Sequence, residues 1–188
     1  VLWLRGHPTG RQRLIRLVQY AALGAASFPV ASFLANLSRW WRFERTGTLL
    51  WTTVLVITVV VTVLALRGPW RHRIYGPPGA VAALTATVLA VDVSTGSNLQ
   101  HARLLGLSPL VAGRFYGFGN IPYAIFVASA LVAAAALGQL LLDYGHSRRT
   151  AALAVAAVGV ITVVVDGVPQ AGADVGGILA TVPGFAVL

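Results

Sequence analysis

The stretch TGTLLWTTVLVITVVVTVLAL, Thr46 to Leu66, runs for 21 residues without a charge and decides the fold class. Its core, Thr52 to Leu64, is so rich in Val, Ile and Thr that in water it would suggest a buried strand. Length argues otherwise, because strands usually end after five or six residues and this run does not alternate polar with apolar. A helix needs roughly 20 mostly apolar residues to cross a hydrocarbon core of about 30 Å. In lipid every backbone N–H and C=O must be paired within the segment, which favours helix whatever the side-chain preference in water.

The rest of the chain repeats the pattern. Uncharged runs extend over Leu17–Ser38, Ile74–Val91, Phe115–Leu142 and Thr150–Val165, and a sixth apolar segment begins near Val175. Of the 188 residues, 57% are hydrophobic without counting glycine and only 10% are charged. Soluble domains carry about 45–50% apolar and about 25% charged residues, so a soluble globule and a disordered chain are both excluded. The expectation is an all-α polytopic transmembrane bundle of about six spans, the last incomplete. Residues 1–188 then form a single transmembrane domain. Val1 in place of Met and an apolar end at Leu188 mark the chain as a fragment of a longer protein.

All the basic charge is arginine, and the formal net charge is +9. Alternating the connections places Arg5, Arg11, Arg13, Arg16, Arg67, Arg71, Arg73, Arg148 and Arg149 on one side and Arg39, Arg42, Arg45, Arg103 and Arg114 on the other. The richer side is cytoplasmic by the positive-inside rule, in an inner (cell) membrane. Glu44, Asp92, Asp166 and Asp174 then fall on the outer side and Asp143 on the inner. Arg39-Trp40-Trp41-Arg42-Phe43 reads as an aromatic belt at the outer headgroups. The lipid bilayer is the implied partner. The basic cluster from Arg11 to Arg16 suits anionic lipid heads, and no soluble basic face exists to hold nucleic acid.

Polar residues that could do chemistry converge on the outer half. With a helix start near Pro78 or Gly79 after the Gly76-Pro77-Pro78-Gly79 turn, Asp92 lies about 20 Å into the membrane. An ionisable group at that depth is a functional candidate, although an interhelical salt bridge, with Arg114 as an available partner, or a helix-end cap is the plainer role. The segment Asn98–Leu105 predicts a short interfacial helix capped by Asn98 and stopped by Gly106. The 28 uncharged residues from Phe115 to Leu142 would make a helix of about 42 Å, too long for the core. Gly117 and Gly119 therefore predict a non-helical entry, with Asn120 capping a helix over Ile121–Leu142. The open N-terminus of that helix beside Arg114 and Tyr116 is a candidate anion site. Asp166 and Asp174 emerge on the same side. Asp174 reads as the cap of the sixth helix, and Gly176-Gly177 would let a neighbouring backbone approach. Asp92, Asp166 and Asp174 together could hold a divalent cation, while helix capping is the simpler reading for the latter two.

Several classes lack their signature. His7, His72, His101 and His146 sit singly in separate loops, there is no cysteine, and there is no Gly-x-Ser-x-Gly elbow. The G-x-G-x-x-G phosphate spacing is absent too. No cofactor is indicated.

Phe33-Leu34-Ala35-Asn36-Leu37 with Trp40-Trp41-Arg42, Asp92-Val93 with Thr95-Gly96-Ser97 and Leu99-Gln100, Gly113 to Asn120, and Gly172-Ala173-Asp174-Val175-Gly176-Gly177 resemble a group of uncharacterised actinobacterial multi-pass membrane proteins. The resemblance covers most of the chain. Longer members of that group carry an extracytoplasmic domain similar to the alkaline-phosphatase superfamily ahead of the spans. None of that domain is present here, so none of its catalytic or metal-binding residues transfers. The resemblance implies the architecture and an envelope role without naming a reaction.

Three readings follow. The first is the membrane part of an envelope protein that handles an anionic lipid-linked or phosphorylated substrate, with Asp92, Arg114, Tyr116, Asn120, Asp166 and Asp174 as its candidate binding residues. The second is a portion of a transporter using the broken fourth span. The third is a structural anchor for a catalytic domain elsewhere.

Overall fold

In the structure, a computed structural model, residues 10–38, 40–42, 45–101, 104–106, 117–169 and 171–188 are described. Six α-helices account for most of them: α1 Gly10–Leu34, α2 Thr46–Arg67, α3 Gly76–Ser94, α4 Asn120–Asp143, α5 Arg148–Gly167 and α6 Val175–Ala186. No β-strand occurs among the described residues. The first five helices are long and apolar enough to cross a membrane, and α6, with 12 residues, is shorter than a span.

The surface explains why oil is the right solvent. In α2 only 17% of the most apolar window is buried, while Leu55, Val56, Val59, Val60 and Leu64 are exposed. In water such a face would be an aggregation surface of unusual size; in a bilayer it is the ordinary exterior of a span. The chain is thus membrane-embedded, and the Val- and Thr-rich stretch is helix because lipid offers no competing hydrogen bonds.

Helix boundaries differ from the uncharged runs for local reasons. α1 begins at Gly10, so Arg11, Arg13 and Arg16 lie within it. Arginine is a good helix former, and its long stem lets the charge reach the headgroups. Pro29 lies inside α1 without interrupting it. The Gly76-Pro77-Pro78-Gly79 segment is the first turn of α3 rather than a loop before it, because proline lacks an N–H that a first turn does not need. α4 starts at Asn120 with Gly119 as its N-cap, and no side chain caps it. The expected Asn120 cap is therefore corrected: the extended backbone that a cap requires falls one residue earlier, at Gly119 (φ −80°, ψ 163°).

α3 is the hub of the bundle, packing on α1, α2 and α4, while α4, α5 and α6 pack in sequence on one another. Small residues make the later contacts close. A Cβ at Gly79 would come 2.5 Å from the Ala136 methyl, and one at Gly138 would come 3.0 Å from Val155. Without water to drive helices together, such close approach supplies the dispersion energy that association needs.

Two ends result. One carries Asp143, where Arg73 Nη1 and the Tyr75 hydroxyl each donate to Asp143 Oδ2 at 2.6 Å and Gln139 Nε2 donates to Oδ1 at 2.8 Å. The Arg73 guanidinium also lies over the Tyr144 ring, 4.8 Å from its centre. The hydrogen bond to Tyr75 raises the Arg73 pKa, so this cation stays charged at any ordinary pH. This knot ties the α2–α3 connection to the end of α4. The opposite end gathers the termini of α1, α3 and α5 with the starts of α4 and α6, and its core is Phe33, Leu89, Val93, Phe118 and Phe126. Phe118 and Phe126 stack with ring centres 4.9 Å apart.

Candidate functional site at the Asp166 end

α3 ends where the chain reverses on itself. Thr95 N–H and Ser97 N–H both donate to the Asp92 carbonyl, and the reversal runs through Gly96 (φ 104°) and Ser97 (φ 58°). The Asp92 side chain, 4% exposed, then receives Leu99 N–H on Oδ1 at 2.7 Å and Gln100 Nε2 on Oδ2 at 3.0 Å. Asp92 is thus a satisfied carboxylate that shapes a loop rather than bridging two helices among the described residues. Its partners come from its own loop, and Arg114 lies outside the described residues.

That loop replaces the interfacial helix expected over Asn98–Leu105. The described residues there form turns, and a Cβ at Gly106 would overlap the Gln100 carbonyl. Residues six apart in a helix are separated by about 9 Å along its axis, so this contact belongs to a chain that doubles back. Two peptide-like donors captured by the Asp92 carboxylate outweigh the helical preference of a short, half-polar segment. The loop is anchored to α1 as well: Asn36 Nδ2 donates to the Leu99 carbonyl at 3.0 Å, and Trp40 Nε1 donates to Asn36 Oδ1 at 3.1 Å. The two belt tryptophans follow as a short 3-10 turn over Trp40–Arg42, edge to face.

The entry to α4 bridges this loop and the next. Ser97 Oγ donates to the Gly117 carbonyl at 3.2 Å, and Phe118 N–H donates to the Gly172 carbonyl at 2.9 Å. Gly117 has φ 84°, and a Cβ there would overlap the Gly172 carbonyl oxygen. The non-helical entry is as the glycines predict.

Beyond α5 the chain wraps around Asp166. Gly172 N–H donates to the Val165 carbonyl at 2.8 Å, and Asp174 N–H donates to the Asp166 carbonyl at 3.0 Å. Asp174 caps α6 as expected, its Oδ1 accepting from Gly177 N–H at 3.3 Å. The Tyr123 hydroxyl of α4 donates to the Gly177 carbonyl at 2.6 Å and lies 3.1 Å from Thr181 Oγ1. The close approach at Gly177 is by side chains rather than a backbone. A Cβ there would come 2.5 Å from Asp166 Oδ2 and 2.5 Å from the Tyr123 ring.

Asp166 itself is 0% exposed, and neither carboxylate oxygen has a hydrogen-bond partner among the described residues. The Gln100 side-chain oxygen Oε1 at the same end is likewise buried, with no hydrogen-bond partner among the described residues. A buried carboxylate without a partner costs several kcal/mol, and inside a span such groups mark functional sites.

The six candidate residues thus separate. Asp92 is hydrogen-bonded within its loop, Asp174 caps α6, Asn120 is exposed at the start of α4, and Asp166 is buried with no hydrogen-bond partner among the described residues. Arg114 and Tyr116 lie outside the described residues. Asp166 and Asp174 are joined through the backbone, whereas no group of three or more His, Asp or Glu side chains among the described residues could hold a metal ion. A three-carboxylate cation site is not formed. Tyr123 and Thr181 belong to this end and escaped sequence reasoning, since each is an isolated polar residue in an apolar helix and the two meet across 58 residues. The one available signal was a phenol one turn into an apolar helix.

No protein family, curated protein or solved structure matches the chain.

Proposed function

We propose that this chain is the membrane-embedded part of a protein that handles an anionic substrate, lipid-linked or phosphorylated, at the Asp166 end of the bundle. The observation that carries the reading is Asp166, a fully buried carboxylate whose oxygens have no hydrogen-bond partner among the described residues, walled by Gly177 and the Tyr123 ring. A headgroup with hydroxyl or ammonium donors would complete it. Arg114 and Tyr116 belong to the connection between Gly106 and Gly117, both of which lie at this end, and a guanidinium there would take the phosphate. The arginines Arg67, Arg71, Arg73, Arg148 and Arg149 at the opposite end favour a cytoplasmic Asp143 end and an extracytoplasmic site. The actinobacterial resemblance accords with an envelope role.

Glycerol phosphate tests this in the detergent-solubilised protein, with inorganic phosphate as the comparison. Arg114→Ala is expected to weaken both by about tenfold or more, the worth of a charge-assisted hydrogen bond, whereas Asp166→Asn weakens only glycerol phosphate. Binding of neither compound, or no change in either variant, refutes the reading. An ion-coupled transporter is the second reading, favoured by the same unpaired carboxylate between α5 and α6. Uptake into liposomes that depends on an imposed ion gradient and on Asp166 would select it. An anchor would tolerate both substitutions.

A further inference from the structure

Far from Asp166, over the face of α3 between α2 and α4, lies a groove of about 460 Å³. Its walls include Leu64, Ala83, Ala133 and Leu137, and Trp70 and Tyr75 close it at the Asp143 end. That volume falls within the range of about 300–1,000 Å³ usual for small-molecule sites. The groove is preformed. Trp70 Nε1 donates to the Ala65 carbonyl at 2.9 Å, and a Cβ at Gly68 would overlap the indole, so the ring that closes the groove is held from both sides.

Length and charge identify the occupant. Along α3 the groove extends from Gly76 to Leu84, about 12 Å by helical rise, against about 15 Å for half of a hydrocarbon core. It therefore occupies one leaflet. Arg67 directly follows the groove-lining turn of α2 and Arg71 follows Trp70; both are exposed. Arg71 Nε donates to His72 Nε2 at 3.0 Å, which leaves its terminal amines to a phosphate, whereas Arg73 is already paired with Asp143. An apolar slot one leaflet deep with two cations at its mouth has the chemistry of a lipid site.

We propose that this groove holds one acyl chain of an anionic phospholipid from the leaflet at the Asp143 end, with the phosphate received by Arg67 and Arg71. The inference is independent of the substrate reading, since it uses none of the residues at the Asp166 end.

The test uses the full chain in nanodiscs of phosphatidylcholine doped with phosphatidylglycerol, with retained lipid counted by native mass spectrometry after exchange into pure phosphatidylcholine. Wild type is expected to keep one phosphatidylglycerol, with a preference of roughly 30-fold, about fivefold for each arginine near the headgroup. Ala83→Trp, at an exposed groove position, should abolish retention, while Leu153→Trp on another exposed face should leave it intact. Arg67→Gln with Arg71→Gln, both exposed, should erase the headgroup preference and leave the fold undisturbed. Equal exchange of the two lipids in wild type, retention unaffected by Ala83→Trp, or preference unaffected by the double arginine variant overturns the proposal. So does a doubled mass that Ala83→Trp reduces to one chain, which would show a second copy in the groove.

Discussion

Asp92 and Asp166 occupy equivalent places, each two residues or fewer from the end of a span, and both are buried, yet replacing them with leucine should move stability in opposite directions. Leucine matches aspartate closely in shape, so the comparison isolates hydrogen bonding. At position 92 it removes both acceptors and orphans the Leu99 N–H and the Gln100 amide. Each stranded group costs about 1–3 kcal/mol, giving a loss of about 4 kcal/mol. Leucine is the informative choice, because asparagine would be rescued by a flip of the Gln100 amide, whose oxygen is unpaired. At position 166 no hydrogen bond among the described residues is lost, and the unpaired carboxylate disappears, for a gain of about 1–3 kcal/mol. The assay is reversible unfolding in mixed micelles, followed by circular dichroism. A separation of about 5–7 kcal/mol between the two variants is expected. If Asp166→Leu destabilises by more than about 1 kcal/mol, Asp166 has a structural partner and the argument for a ligand fails. A gain in stability with a loss of ligand binding would carry the signature of a site kept at the expense of the fold.

Three further outcomes check the geometry. Gly117→Ala should cost about 2–4 kcal/mol in the same assay, because it combines a left-handed φ with overlap on the Gly172 carbonyl. Tyr123→Phe removes the hydrogen bond to the Gly177 carbonyl and should cost about 0.5–1 kcal/mol, the usual worth of such bonds between membrane helices. The chain has no cysteine, so Asn120→Cys and His146→Cys, both at exposed positions, should react with an impermeant thiol reagent from opposite faces of a sealed vesicle; labelling from one face would break the alternating topology.

What the sequence discloses follows the range of the forces involved. The spans are legible because a bilayer imposes one length and one secondary structure, so Thr46–Leu66 is readable despite its strand-like composition. Asp174 is legible because a cap acts within three residues. The loop after α3 is not, because the competition between a local helix and the Asp92 carboxylate is decided by a side chain seven and eight residues away from its partners. The Asn120 cap is off by one because residue type alone does not fix which residue turns extended. Tyr123 and Gly177 meet across 54 residues, and nothing near either position announces the other. Asp166 stands between these cases: its depth in a span is visible in the sequence, while its lack of a partner appears only once α4, α5 and α6 are packed.

The hydrogen bond from Phe118 to Gly172 has a consequence for biosynthesis. A ribosome delivers α4 to the bilayer long before it delivers the turn after α5, so the lead-in to α4 must wait, with a backbone donor unmet, until that turn emerges. The Asp166 end therefore matures only after α5 and the turn that follows it have been made. Synthesis interrupted just short of Gly172 would leave the first five helices made and the doorway to α4 unfinished.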